Sequence, residues 1–388
     1  MPKKPRLPRA IYAIGATSLL NDASGEMIFP LLPVFLSSVL GASAATLGAI
    51  EGAADAAASL LKLLSGSLSD RMGRRKPLVV GGYALASLVR PLIAFAQTAG
   101  TVLAIRVADR VGKGLRASPR DALIADTAPR ELHGRAFGVH EAMDHAGAVV
   151  GPLAAYLLLA FGLGLRSVFL LSALPAAIAC LVVVLFVREA RPRPSQPVAV
   201  SSAPAVPILN RPFLGYLLAT VVFALGNSSD AFLLLLAHDA GLPVQAAPLL
   251  WALHHVVKST TSAKAGELAD RLGRRRALAA GWIAYAGIYA GFAFARSGLA
   301  IASLFVVYGL HFALVGGAQK ALVADLVPPE ARARGFGMYH LCVGLAALPA
   351  SLIFGMLYQR LGAGTAFLTG AGLALGAVAL LPLSRTRA

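Results

Sequence analysis

Residues 66–76 of the chain read GSLSDRMGRRK, and residues 266–276, which begin 200 positions later, read GELADRLGRRR. A second pair of segments, ALIAD at 122–126 and RAFG at 135–138, returns 199 positions later as ALVAD and RGFG. Two pairs of similar segments with nearly the same separation indicate an internal duplication. The chain is therefore predicted to consist of two related halves.

The composition is that of a membrane protein. Of the 388 residues, 57% are hydrophobic and 14% are charged, and the mean hydropathy is +0.72. Soluble domains have roughly 45–50% apolar and about 25% charged residues, so a water-soluble globule is excluded. A membrane-spanning helix needs about 20 apolar residues, and a dozen of them would leave only short loops.

Apolar stretches of helical length predict twelve spans. They cover residues 11–40, 44–67, 77–97, 100–126, 135–160, 166–187, 212–236, 243–265, 277–295, 298–322, 335–358 and 364–384. The fold class predicted is an all-α membrane protein with twelve transmembrane helices in two pseudo-symmetric six-helix bundles. The Pro-, Ser- and Ala-rich stretch 188–211 predicts a cytoplasmic linker between bundles 1–187 and 212–388. Parallel halves of this kind imply a mid-membrane site between them.

The charge distribution orients the molecule. The chain has 35 Lys and Arg against 18 Asp and Glu, a formal net charge of +17, and most arginines between spans fall on one side. Because cytoplasmic loops carry excess Lys and Arg, both termini are predicted to be cytoplasmic. We expect a multi-pass protein of the bacterial inner membrane. Its expected partners are the lipid bilayer and a small-molecule substrate, with no nucleic acid, and we expect a monomer.

The repeated loop resembles the signature loop of the major facilitator superfamily, and the resemblance extends over essentially the whole chain. It implies that Asp70 faces the N-terminal end of span 11 and that Arg71 pairs with Asp126. A simpler alternative is that these arginines only fix the topology. The residues to which the resemblance assigns a gating role are Gly66, Asp70, Arg71, Gly73, Arg74, Asp126, Asp270, Arg271 and Asp325.

Span 5 resembles the antiporter motif of proton-driven exporters. The matching residues are Gly138, Gly147, Gly151 and Pro152, although Ala155-Tyr156 replaces the usual closing glycine pair. Small residues also let helices approach closely, so helix packing alone is the alternative. Asp22 and Arg106 match positions of drug:proton antiporters.

Span 4 carries an unusual charged face. Arg106, Asp109, Arg110 and Lys113 follow the spacing i, i+3, i+4, i+7 and share one side of a helix. A charge at the bilayer centre costs at least about 2.5–3.5 kcal/mol, so this face is predicted to line a cavity or to pair with acids. Purely structural salt bridges are the alternative to a transport role.

We expect the coupling protons to bind carboxylates within the membrane, with Asp22 and Glu26 as the first candidates. The candidate coupling residues are Asp22, Glu26, Glu51, Asp55, Asp109, Glu141 and Asp144. The candidate substrate-binding residues are Asn21, Arg106, Arg110, Lys113, His140, His145, Asn227, Asp230, His254, His255, Lys258 and Tyr308.

No enzyme motif, cofactor motif or metal site is predicted. The adjacent histidines 254 and 255 point about 100° apart on a helix, which does not suit a shared metal ion. Protons are the expected coupling ion, and the chain is not expected to be an enzyme.

These features predict a proton antiporter that exports a small anionic or zwitterionic solute. The span 4 block 109–121 and the span 1 block 21–27 resemble a bacterial subgroup that exports metal–carboxylate complexes such as iron citrate. A multidrug:proton antiporter is the alternative, favoured by the span 5 motif and by Asp22. A non-transporting sensor or lipid-handling protein is a further alternative.

Overall fold

The computed structural model describes residues 6–32, 35–41, 44–187, 208–227, 232–233, 236–237, 240 and 246–384. Three predicted site residues fall outside this description. They are Asp230 as a whole and the side chains of Glu51 and Asp55. Most of the predicted linker also falls outside it.

Every regular element in these ranges is helical. The twelve main helices of the described chain are α1 Arg9–Glu26, α2 Ala44–Met72, α3 Lys76–Val89, α4 Ala99–Thr127, α5 His133–Ala160, α6 Leu165–Phe186, α7 Arg211–Gly226, α8 Ala246–Leu272, α9 Arg274–Phe294, α10 Gly298–Leu326, α11 Arg332–Leu361 and α12 Ala363–Leu380. The predicted fold class is confirmed.

Seven of the described helical segments are long and apolar enough to cross a membrane by length and composition. They correspond to α3, α5, α6, α9, α10, α11 and α12. Of the other five helices, α7 is apolar but spans 16 described residues, whereas α1, α2, α4 and α8 contain charged residues along their length. Most of the charges predicted to lie inside the membrane are therefore in four helices, three from the first half and one from the second.

The duplication is visible in the packing. In the first half, α2 packs on α4, α3 packs on α4 and α6, and α1 packs on α6. The equivalent pairs six helices later, α8 with α10, α9 with α10 and α12, and α7 with α12, are also in contact. Local signals repeat too, because Thr98 and Ser297, 199 residues apart, each cap the N-terminus of the following helix.

The chain forms two compact units that are not continuous in sequence. Unit 1 comprises residues 1–130, 143–203 and 329–338, and unit 2 comprises residues 131–142, 204–328 and 339–388. The division falls within α5 and α11. The first turns of α5 thus belong with unit 2, and the first turns of α11 belong with unit 1. The domain boundaries taken from the sequence stay a prediction.

Candidate functional site

In unit 1, the signature-loop aspartate binds the start of α11. The Asp70 carboxylate accepts hydrogen bonds from the backbone N–H groups of Ala333, at 3.3 Å, and Arg334, at 2.8 Å. The first N–H groups of a helix have no partner within the helix and carry the positive end of its dipole, so a carboxylate is stabilised there. This is the placement that the resemblance implies for Asp70.

Unit 2 repeats this arrangement. Asp270 accepts hydrogen bonds from the N–H groups of Gly134, at 2.8 Å, and Arg135, at 2.7 Å, in the first turn of α5. Burial raises the pKa of both Asp70 and Asp270, although the neighbouring arginines and the backbone hydrogen bonds oppose this effect. Each of these carboxylate–helix contacts is called a latch below.

The arginine that completes the first latch is Arg75, which corrects the expectation for Arg71. Arg75 is buried, contacts Asp70 and lies 3.4 Å from Asp126, which also binds Arg332 at 2.6 Å. Arg71 is exposed. Asp126 therefore pairs with the fifth residue after Asp70, not with the next one.

In neither loop is the partner the arginine that directly follows the aspartate, and the two loops use positions that differ by one residue. In the second latch the arginine that reaches both Asp270 and Asp325 is Arg274, four residues after the aspartate. Arg75 and Arg274 are 199 positions apart, whereas Asp70 and Asp270 are 200 apart. The offset thus changes inside the loop. Arg271, the counterpart of Arg71, has a side chain 61% exposed and pairs with Glu267 at 2.6 Å.

Glycines make the close helix crossings at the latches possible. A Cβ on Gly66 would lie 2.2 Å from the carbonyl oxygen of Ala333, and one on Gly266 would lie 2.1 Å from that of Gly134. A Cβ on Gly138 would lie 2.4 Å from the Ser262 oxygen. Any side chain at these positions would separate the helices.

The other motif glycines of α5 hold the acidic helix α1. A Cβ on Gly147 would lie 2.3 Å from the Leu19 oxygen, and one on Gly151 would lie 2.4 Å from the Ala23 oxygen. The Cβ atoms of Asp22 and Glu26 flank these same crossings. Helix α5 continues through Pro152. The motif therefore sets how closely the two acids of α1 approach α5.

Arg90, outside the predicted site, anchors the interior of unit 1. Its guanidinium donates to Asp109 at 2.8 Å and to the backbone oxygen of Asn21 at 2.8 Å. Arg106 lies 3.7 Å from the same carboxylate, and all three charged side chains are buried. Asp109 is thus held by two guanidinium groups and links α3 to α4.

Charges of both signs lie near one another between α1 and α4. Asp22 and Glu26 are half-buried, and Lys113 is exposed. The charge of Lys113 acts on Glu26, and those of Asp22 and Asp144 act on Lys113. Asp22 accepts a hydrogen bond from Asn21 at 3.0 Å. Within the described residues, Asp22, Glu26 and Lys113 form no ion pair. Arg110 also acts on Glu26 and Lys113.

The predicted residues of unit 2 lie among aromatic rings. Asn227 accepts hydrogen bonds from Tyr285 at 3.3 Å and from Tyr308 at 3.2 Å. The ring of His254 is stacked on that of Tyr308, with 5.3 Å between centroids. Lys258 is buried with its ammonium 3.6 Å from the centre of the Phe312 ring. These contacts form a largely aromatic cluster that contains one cation, Lys258. His255 packs beside Trp251.

The predicted site residues of α5 lie in both units. Glu141 pairs with Lys320 at 2.6 Å in unit 2, and His140 lies 4.0 Å from Glu141. Asp144 and His145 belong to unit 1. No group of three or more metal-type ligands occurs among the side chains that the structure describes.

The sequence reasoning left several charged partners out of the candidate site. They are Arg75, Arg90, Arg116, Lys320 and Arg332. The sequence contains a signal for Arg90 and Arg116, because each is a charged residue within an apolar span. The ion pairs of Arg75, Lys320 and Arg332 could not be predicted, because they depend on which helices pack together.

The sequence profile of the Major Facilitator Superfamily matches residues 14–318 and 231–388. The chain belongs to this superfamily. It is accordingly a multi-pass membrane transporter that carries small molecules, and it is not an enzyme. An uncharacterized MFS-type transporter of Methanocaldococcus jannaschii is 33% identical over 359 residues, which covers 91% of this chain and 89% of the relative.

Two further similarities accompany the family match. A multi-drug resistance efflux pump PmrA homolog of Lactococcus lactis is 26% identical, over 85% of this chain and 84% of the pump. The crystal structure of the human organic anion transporter MFSD10 superposes with a TM-score of 0.77 at 20% identity. That match covers 97% of this chain and the whole of the other. The structural similarity supports the fold alone.

Proposed function

We propose that this transporter is a proton antiporter that exports a small anionic solute of the metal–carboxylate type, such as an iron–citrate complex. The observation that carries the proposal is the set of opposite charges on α1 and α4. The charge of Lys113 acts on Glu26 and that of Asp22 acts on Lys113, and none of the three is in an ion pair among the described residues. Ionised side chains within the bilayer raise the free energy of the protein. A solute with both negative and positive groups would pair with these side chains and lower that free energy.

Whether protons move with the solute or against it depends on which charged side chains the solute contacts. A bare anion on Lys113 would weaken the attraction between that cation and the two acids. The acids would then bind protons more readily, which would make proton and anion travel together. A positive centre placed against Asp22 and Glu26 would instead displace their protons. Antiport therefore requires a solute with carboxylates and a cationic centre, as a metal–carboxylate complex has.

Proton release on binding tests this proposal directly. The purified protein in weakly buffered detergent solution is mixed with iron citrate, or with citrate alone, in the presence of a pH-indicator dye. Iron citrate is expected to release protons, and proteoliposomes with an acidic exterior are expected to export it. Proton uptake with iron citrate, or binding without any proton exchange, would contradict antiport.

A multidrug:proton antiporter is the second candidate. The similarity to a multi-drug resistance efflux pump supports it, and so does the aromatic cluster of unit 2, in which Tyr285 and Tyr308 face Asn227. Lipophilic cations stack well on such rings. In the same dye assay, lipophilic cations would then release protons and iron citrate would not.

A further inference from the structure

Four cations of α4 differ in whether they pair with an acid. Arg106 lies 3.7 Å from Asp109, and Arg120 lies 3.0 Å from Asp121. Lys113 and Arg116 form no hydrogen bond or ion pair with any residue in the described part of the chain. They are three positions apart and therefore neighbours on the helix surface.

Arg116 is the more unusual of the two because it is buried. Arg116 is 5% exposed, and its Nη1 atom has no hydrogen-bond partner among the described residues. Burying a charge without a partner is strongly unfavourable. The Tyr83 ring, whose centre is 4.6 Å from the guanidinium carbon, offsets part of this cost through a cation–π contact.

The neighbouring residues fix the orientation of the Arg116 guanidinium, but no carboxylate of the described residues pairs with it. Tyr83 forms a 3.0 Å hydrogen bond with Ser18 of α1, which fixes the ring on which Arg116 stacks. The carboxylates of Asp109 and Asp22 act on Arg116 only at a distance, and the charge of Arg90 opposes them. A stacked guanidinium keeps its N–H edge available for a ligand.

We propose that Arg116, together with Lys113, binds a carboxylate group of the transported solute. Arg106, a candidate for this role in the sequence, instead holds Asp109 in place. A planar guanidinium forms two parallel hydrogen bonds with a carboxylate, and Lys113 adds a second positive charge one turn away. This inference rests on the proposed function, because it assigns the anionic part of the solute to specific side chains.

Binding of citrate and of iron citrate to purified variants tests the assignment. Arg116→Gln is expected to weaken binding of both by at least about 10-fold, because it removes a charge-assisted bidentate contact. Arg116→Lys keeps the charge but loses the planar fork, so its affinity should lie between those of Arg116→Gln and the wild type. Arg166→Gln is the matched control: Arg166 also stacks on a ring in unit 1, Phe35, but donates to the Ala94 oxygen.

The outcomes separate this inference from the proposed function. If the wild type binds neither citrate nor iron citrate, the proposed function fails and the assignment fails with it. If the wild type binds and folded Arg116→Gln binds equally well, only the assignment fails. Should Arg116→Gln not fold, Arg116→Lys decides, and wild-type affinity in that variant would overturn the bidentate contact. Weakening by Arg166→Gln of the same size would likewise overturn it.

Discussion

Two arginines of one loop illustrate how burial and partners decide what a charged residue does. Arg75 is 7% exposed and donates to Ser69, Asp126 and the backbone oxygen of Pro329. Arg71 is exposed. A surface charge contributes little to stability, whereas a buried one with several partners cannot be removed without leaving polar groups unsatisfied.

We therefore expect opposite results from replacing these two arginines. Arg75→Ala should lower the free energy of unfolding by about 2 kcal/mol or more, because the buried carboxylate of Asp70 loses a charged donor. Arg71→Ala, the matched control, should change it by less than about 0.5 kcal/mol. Thermal unfolding in detergent measures both. A larger effect of Arg71→Ala would restore the pairing implied by the family resemblance.

A second prediction at the residue scale concerns the coupling acids. Asp22→Asn and Glu26→Gln should each abolish proton-driven uptake into everted vesicles, because an amide cannot bind and release the proton. Their melting temperatures should stay close to that of the wild type, since neither carboxylate is in an ion pair among the described residues. Glu131→Gln, at an exposed position, should transport normally. Unchanged proton coupling in both acid variants would exclude Asp22 and Glu26.

At the scale of elements, the crossing of α1 and α5 depends on the absence of side chains. The backbone of α1 occupies the space where the Cβ atoms of Gly147 and Gly151 would lie. Because packed interiors transmit strain, a methyl group there would displace the helix that carries Asp22 and Glu26. Proton coupling and helix packing are linked through this contact.

Alanine substitutions test the crossing. Gly147→Ala and Gly151→Ala should each cost about 1–3 kcal/mol of stability through overpacking, and should slow transport. Gly372→Ala in α12 is the control, because no atom lies within 4 Å of its added Cβ. Alanine is also the better helix former there, so stability should be unchanged or slightly higher. Equal destabilisation by all three variants would contradict the close crossing.

At the scale of the whole molecule, the two latches connect the repeats through α5 and α11. In each case a carboxylate from one repeat binds the first turn of a helix that begins in the other repeat. Each latch lies within one compact unit, and the remainder of α5 or α11 belongs to the other unit. Changes at the latches are expected to affect both units.

The latches should make stability depend on pH. Burial raises the pKa of Asp70 and Asp270 above the ordinary value of 3.8, so the folded state binds more protons than the unfolded state in the range just above that value. Stability contributed by these groups is then present at low pH and is lost as the pH rises through their folded pKa.

Melting curves between about pH 4 and pH 7 measure this dependence. The stability of the wild type relative to the double variant Asp70→Asn and Asp270→Asn should fall as the pH rises and then level off. The asparagines do not titrate and provide the reference. A difference that grows with pH would mean that the backbone N–H groups and arginines outweigh burial.

The amino-acid sequence alone was sufficient to predict the fold. Apolar lengths, the loop duplicated 200 residues apart and the basic side of the molecule are local or additive properties, and they predicted twelve helices in two related halves. They also located the charged face of α4 and the acids of α1, because an ionised group within an apolar stretch is conspicuous without any coordinates.

Partners between helices were decided only by the tertiary structure. Four arginines or lysines follow Asp70 within six residues, and nothing local to the loop indicates that Arg75, rather than Arg71, is the one that reaches Asp126. Similarly, Arg90 and Asp109 are each conspicuous in the sequence as charges within apolar spans, but only the packing of the helices brings them to 2.8 Å from each other. The physical reason is that an ion pair depends on distances between helices of a few ångströms, which the order of residues along one helix does not contain.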